Sequence, residues 1–247
     1  MGIMIYSILS LKKNPRKLNT MLAGIKGISG VGLYAVSVDK ITVVVCDINK
    51  AEIIADKSCA IEYAGVIETL AQQFTLLPVR YGSVMESADA IKKILERNYN
   101  EIQRNLQKVE NKFEFGLKVF CDSEKLMAEL EDANETVQKS GSEIKNSVFR
   151  KYVNQKLIEH RREEMLLSYV DSIIVEFTRF LTHLNTINKI KKMASTKNII
   201  DAVFLLKKNR KDEMVQAVKD FQSKYPRLNF ILTGPWPPYN FVDFTIK

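Results

Sequence analysis

The run Ile199-Ile200-Asp201-Ala202-Val203-Phe204-Leu205-Leu206 decides how the second half of the chain folds. It is apolar except for Asp201, carries β-branched and aromatic residues, and is too short for a buried helix, so it reads as a strand. Downstream, Met214, Val215, Val218 and Phe221 mark one face of a helix over Lys211 to Tyr225, which Pro226 stops. Leu228 to Leu232 is the last strand. Upstream, Asn188 to Met193 is a further strand. It is preceded by the longest helical pattern, Glu143 to about Leu184, where Ile144, Val148, Tyr152, Leu166, Val170, Ile173, Phe177, Phe180 and Leu184 keep the spacing. The charged middle of that pattern, His160-Arg161-Arg162-Glu163-Glu164, reads as a solvated face. Before it, Ser123 caps a helix from Glu124 that Ser140-Gly141-Ser142 interrupts. Phe113 to Phe120 is a strand with Glu114 and Lys118 among apolar residues. Strand, long helix, strand, strand, helix, strand is the ferredoxin-like βαββαβ order.

The first half reads as a variant of the same α+β architecture. Ile3 to Leu9 is a buried strand, broken by the charge, Asn14 and Pro15 of Lys12 to Lys17, and Leu18 to Ile25 is a short helix. Gly24, Gly27, Gly30 and Gly32 mark a turn. Leu33 to Val38 and Ile41 to Asp47, separated by Asp39-Lys40, form a β-hairpin. Ala51 to Gln73 reads as one helix with a break near Asp56 to Ser58, and in its second half apolar Ile61, Ala64, Val66, Ile67, Leu70, Ala71 and Phe74 recur close to the helical period. Leu76 to Val84 is a strand with Pro78 near its start, and Ser87 caps one helix running to about Glu110. The expected division is a domain over 1–111 and a second over 112–247, the latter ending in an extended tail, 234–247.

That tail opens on Gly234-Pro235-Trp236-Pro237-Pro238-Tyr239-Asn240-Phe241-Val242, which holds the only Trp and three of the six Pro. Proline fixes φ and removes a donor, so the run is expected to be stiff and polyproline-like, neither helix interior nor central strand. Two physical roles fit a rigid strip with two large rings: a staple for the end of the chain, or part of a partner surface.

The formal charge of +8 invites a nucleic-acid reading, but the surplus is carried by lysine, 27 Lys against 10 Arg. Arginine is the residue suited to bidentate phosphate and base contacts, so a solvated surface explains the charge better. Three cysteines, Cys46, Cys59 and Cys121, form no CxxC, and their odd number argues against a disulfide framework. Met1 to Leu11 is apolar but lacks a basic leader and a cleavage site, and no apolar run approaches the ~20 residues of a membrane span. No nucleotide loop, metalloprotease motif, nucleophile elbow or Cys-His metal spacing occurs, so no enzyme, cofactor or metal is expected. Gly30-Val31-Gly32-Leu33-Tyr34-Ala35 fits GxGxxA, yet it opens a Val-rich strand where a dinucleotide site needs a helix. His160 and His183 read as surface or packing residues.

Four stretches carry a resemblance. Leu232-Thr233-Gly234-Pro235-Trp236-Pro237-Pro238-Tyr239 with Phe241-Val242, and Leu77-Pro78-Val79-Arg80-Tyr81-Gly82, resemble motifs of the gas vesicle GvpL/GvpF family, the second with Tyr81 in place of Phe. The stretches Gly27 to Asp47 and Phe115 to Val119 are similar to it as well. The resemblance implies a minor, non-enzymatic gas vesicle component within the cytoplasm. Its partners would be the hydrophobic shell protein GvpA, whose aggregation it limits during nucleation, and other gas vesicle accessory proteins. Arg80, Tyr81, Pro235, Trp236, Pro237, Pro238 and Tyr239 are the expected partner-binding residues. The alternative is a ferredoxin-like regulatory ligand-binding or RNA-binding module.

Overall fold

The computed structural model describes residues 2–11, 15–49, 57–121, 126, 148–184, 186–192 and 198–242. The chain divides into two compact units, Met1–Glu114 together with Gly234–Lys247, and Phe115–Thr233. The tail expected to belong to the C-terminal domain thus groups with the first unit.

In the first unit β1 (Gly2–Ser10) leads to α1 (Pro15–Gly24) and the hairpin β2 (Tyr34–Val38) and β3 (Ile41–Ile48). Then come α2 (Lys57–Gln73), β4 (Leu76–Pro78), β5 (Val84–Met85), α3 (Ala88–Arg97) and α4 (Tyr99–Val109). Pro15 stands at the first helical position, where its missing N–H costs nothing, so the residue read only as a strand breaker also starts α1. The hairpin closes with Val38 opposite Ile41, and Asp39 takes the left-handed conformation (φ 50°) that the tight connection requires. The sheet order is β2-β3-β1-β4, with β5 also on β1, and every one of these pairings is antiparallel.

Two elements differ from the sequence reading. The single strand expected over Leu76 to Val84 is two short strands, β4 on Ser7–Leu9 and β5 on Ile3–Met4. The cause lies in β1: Ile5 pairs with Val45 and Ser7 with Val44, so Tyr6 is an extra residue between the pairs. Such a bulge kinks the strand and interrupts straight pairing on its other side. There Val79 N donates to Tyr6 O at 3.0 Å and Ile5 N to Ser83 O at 2.9 Å, while Arg80 to Gly82 turn away, with Gly82 at φ 82°. The helix expected from Ser87 to Glu110 is two helices. Asn98 breaks it at φ −109°, ψ 13°, and its Nδ2 donates to the Ile94 carbonyl at 2.8 Å. A short amide side chain that competes for backbone groups in this way disfavours helix continuation. The Ser87 cap forms as expected, its hydroxyl accepting from Ala90 N at 3.1 Å. On α2 and just past it, Val66, Ile67, Leu70, Ala71 and Phe74 are buried as the spacing implied, whereas Ile61 is 63% exposed and Tyr63 takes a place in the buried face. The part of that helix expected over 51–56 lies outside the described residues.

The core of this unit joins Met4, Tyr6 and Leu9 of β1 to Leu18 and Leu22 of α1, Val44 and Cys46 of β3, and Val66, Ile67 and Leu70 of α2. Each such side chain, fully buried, contributes about 1.5–3 kcal/mol.

The second unit and its flanking residues contain β6 (Lys112–Cys121), α5 (Val148–His183), β7 (Ile187–Lys192), β8 (Asn198–Lys207), α6 (Lys211–Lys224) and β9 (Leu228–Trp236). The strand order is β7-β8-β6-β9. The helix expected from Glu124, its interruption at Ser140–Ser142, and the start of the long helix at Glu143 fall outside the described residues. Phenylalanines from four elements fill the core: Phe115 stacks on Phe204 at 6.0 Å, and Phe177 meets Phe221 edge-on at 5.4 Å. Glu176 of α5 is held to α6 by Lys224 Nζ at 2.6 Å and by the Tyr225 hydroxyl at 2.6 Å. That pairing keeps the Glu176 carboxyl below the usual carboxylate range. In both sheets the first strand lies between the third and the fourth, so one strand order occurs twice in the chain.

β9 extends beyond the expected Leu232 to Trp236. It is the outer strand of its sheet, the position where Pro235 can lack an N–H without breaking a ladder. Gly234, at φ 110°, occupies a conformation open to glycine. The strip read as polyproline-like is therefore, over its first three residues, an edge strand.

Candidate functional site

Glu114 is a carboxylate only 4% exposed, set between Phe113 and Phe115 in a strand whose other charged residues are Lys112 and Lys118. A buried charge is tolerated only when it is well partnered. Glu114 accepts the backbone N–H of Asn240 at 2.7 Å and the Asn240 side-chain amide on its other oxygen. These bonds fix the tail just past its proline pair. The tail then turns on itself, with Tyr239 N donating to Pro237 O at 2.8 Å and Phe241 N to Pro238 O at 3.2 Å. Pro237, Pro238 and Phe241 are buried, whereas Trp236 and Tyr239 are 40% and 43% exposed. One short strip thus anchors the chain end and leaves two aromatic rings in solvent.

Tyr239 also lines a cleft of about 610 Å³ in the first unit. The sheet contributes Ile5, Ile8 and Val43 to its lining, α2 contributes Ala60, Tyr63 and Ala64, and α3 contributes Ile91, Ile94 and Leu95. The interrupted segment between β4 and β5 supplies Val79, Arg80, Tyr81 and Ser83. The bulge at Tyr6 thus splits the second partner of β1 and turns Arg80 and Tyr81 to the cleft. Among the described lining residues only Arg80 is charged.

A chain of rings stiffens this wall. Tyr6 stacks on Tyr63 with centroids 4.7 Å apart, and Tyr63 meets Tyr81 edge-on at 5.2 Å. The Tyr6 hydroxyl accepts Ile28 N at 3.0 Å and lies 3.6 Å from Cys46 Sγ. The Tyr63 hydroxyl lies 2.8 Å from Ile5 O and 2.7 Å from Val79 O, so its one proton serves the carbonyls at the edge of the bulge. Burial pushes Tyr6 and Tyr63 well above the ordinary phenol range. Tyr239 is pushed up to about 12 by burial, with the Glu68 and Glu114 charges adding to the effect. Burial likewise raises the Cys46 thiol, which suits a packing role and not a reactive one.

Of the residues singled out from sequence, Arg80, Tyr81 and Tyr239 come together at this cleft. Pro235 and Trp236 belong to β9, and Pro237 and Pro238 lie in the buried anchor. The sequence reading missed Tyr63 and the α3 face. Tyr63 was legible as a ring three and four residues before Val66 and Ile67; Ile91, Ile94 and Leu95 were read as helix but not as a wall. Among the described residues no group of three or more His, Cys, Asp or Glu is placed to hold a metal ion. No helix among them is long and apolar enough to cross a membrane. Among the described residues the arrangement offers a mostly apolar cleft with one guanidinium, one serine hydroxyl and phenol rings.

The family model described as gas vesicle synthesis protein GvpL/GvpF matches residues 2–243. Gas vesicle protein F1 of Halobacterium salinarum is 21% identical over 226 residues, 90% of this chain and 87% of that protein. Gas vesicle protein L1 of the same organism is 25% identical over 232 residues, 87% and 82% of the two chains. The crystal structure of the gas vesicle protein GvpF from Anabaena sp. PCC7120 shares the fold with a TM-score of 0.77 at 23% identity, covering 99% of this chain and 97% of that one.

Proposed function

The chain belongs to the GvpL/GvpF family of gas vesicle synthesis proteins, and from that premise we propose that it acts in gas vesicle assembly by binding the hydrophobic shell protein GvpA. In this reading it is a non-enzymatic, minor component that limits aggregation of the shell protein within the cytoplasm while a vesicle nucleates. It also meets other gas vesicle accessory proteins. The observation that carries the proposal is the apolar cleft of the first unit with the exposed rings of Tyr239 and Trp236 on the same tail. A subunit destined for a ribbed, β-rich wall exposes apolar surface and strand edges before it assembles, and such surface aggregates. A preformed apolar cleft with rigid aromatic walls covers that surface at small entropic cost.

Each unit is read as ferredoxin-like, supported by the repeated order in which the first strand lies between the third and the fourth. The RNA-binding alternative is not favoured. A ring that stacks bases must be open to solvent. Phe204, the aromatic residue of the central strand β8, is fully buried against Phe115 and Phe177.

The test is recovery of the shell protein from cells that co-express it with the tagged chain. Truncation of the tail is unsuitable because it removes the buried Pro237, Pro238 and Phe241 along with the exposed rings. Trp236→Ala and Tyr239→Ala remove the two partly exposed rings and leave the buried anchor in place. The intact chain should recover the shell protein, and the double variant several-fold less, while its melt stays cooperative. Equal recovery by both, or none by the intact chain, would sink the proposal.

A further inference from the structure

We infer that the cleft of the first unit recognises an apolar peptide segment that carries a carboxylate, and that Arg80 receives the carboxylate. The inference deepens the reading that this cleft faces a partner protein, and it rests on that reading. Its basis is charge complementarity. Among the described residues the cleft is lined by aliphatic side chains, tyrosines, Ser83 and a single charged group, the Arg80 guanidinium. Among the described residues Arg80 makes no ion pair and no side-chain hydrogen bond. It is exposed at present, so water satisfies it. A wholly apolar occupant would strip that water and leave a buried, unpaired cation, which is unfavourable. An occupant with a carboxylate replaces the water by a charge-assisted, bidentate pair.

The local structure holds Arg80 ready for this role. It sits in the turn set by the Tyr6 bulge, its carbonyl accepts Ser83 N at 3.2 Å, and Gly82 at φ 82° fixes the bend. Tyr81, beside it, is braced edge-on against Tyr63. The Tyr239 ring lines the same cleft and is 43% exposed. The main chain at Arg80 is therefore fixed beside an apolar surface, and the exposed side chain is left to order when a ligand arrives. Arg80 was visible in the sequence as a cation between apolar neighbours; its isolation from any acidic partner among the described residues became visible in the fold.

The experiment uses the full chain and a probe peptide, acetylated Leu-Val-Asp-Ile-Leu extended by Gly-Ser-Gly-Ser and a fluorophore, read by fluorescence anisotropy. The wild-type chain should bind the Asp peptide about tenfold more tightly than its Asn counterpart, the range expected for one charge-assisted pair at a partly solvated site. Arg80→Gln should abolish that preference, and Arg80→Glu should prefer a Lys peptide. Because Arg80 is exposed, these variants should keep the wild-type melting temperature, and Ala64→Phe, which fills the cleft, should weaken both peptides together. Equal affinity of the wild type for the Asp and Asn peptides overturns the inference. So does a preference that survives Arg80→Gln, or binding of decanoate at Arg80 with no binding of either peptide. Recovery of the shell protein separates the two claims. If it is recovered while Asp and Asn peptides bind alike, the carboxylate reading fails and the assembly role stands. If it is not recovered while the Arg80-dependent preference holds, the assembly role fails and the cleft keeps its specificity.

Discussion

At the scale of single residues, the side chains that matter most here are polar groups placed inside apolar surroundings. Glu114 is the clearest. Its two oxygens take both donors of Asn240, so a carboxylate in a strand serves as the anchor of a segment 126 positions away in sequence. Hydrogen bonds to a charged group contribute about 1.5–3 kcal/mol. Glu114→Ala should therefore lower the unfolding free energy by about 2–3 kcal/mol in urea titration and make the tail accessible to protease; a change below about 0.5 kcal/mol would mean the anchor lies elsewhere. The tyrosines give a second prediction. Burial raises Tyr6 and Tyr63, and Tyr34 and Tyr239 are pushed up to about 12. The unfolded chain ionises its phenols near the ordinary value of about 10. A folded pKa above the unfolded one means that the folded state keeps its protons longer. The stability these groups supply is then complete below pH ~10 and is lost as pH rises toward their folded values. The Cys46 thiol, also raised by burial, adds a smaller loss that begins near the ordinary thiol value of about 8.5. The melting temperature should therefore slip slightly from about pH 8.5 and fall steeply above pH 10, in step with tyrosinate absorbance. Tyr63→Phe should flatten the fall.

At the scale of elements, what was legible followed from local rules, and what was not followed from pairing. The strand β8, the helix α6 with its stop before Pro226, the hairpin and the Ser87 cap depend on periodicity, turn chemistry and one side chain, all written within a few residues. The break in the strand after Pro78 is not written there. It follows from an extra residue, Tyr6, in a strand more than seventy positions earlier, and no local pattern at Arg80 reports it. The break at Asn98 was in principle readable, since a short amide inside a helical run competes for the backbone, but the apolar spacing runs through it without a gap. The site shows the same division. Arg80, Tyr81 and Tyr239 could be singled out one by one, as a cation between apolar residues, its aromatic neighbour and a ring in a proline-rich strip. Their convergence on one cleft depends on the bulge and on the Glu114 anchor, both of which are long-range.

At the scale of the whole molecule, the chain is not cut into domains at one point. The second unit is a single continuous stretch, Phe115–Thr233, whereas the first takes its last fourteen residues from the far end of the chain. The residues 112–236 carry all four strands of the order β7-β8-β6-β9 and their phenylalanine core, so this piece holds what a fold needs. Residues 1–114 alone lack the buried Pro237, Pro238 and Phe241 and leave the Glu114 carboxylate without its Asn240 donors. Burial of one Phe side chain contributes about 1.5–3 kcal/mol, and losing the hydrogen bonds to Glu114 adds about as much again. For a piece of this size each kcal/mol shifts the melting temperature by about 4–8 °C. Expressed separately, 112–236 should melt cooperatively. Residues 1–114 should melt at least about 12 °C below the same piece joined through a flexible linker to residues 234–247. Circular dichroism melts of the three proteins decide the matter. If 1–114 melts as high as the joined form, the tail is a passive extension, and the Glu114 anchor contributes nothing to the first unit.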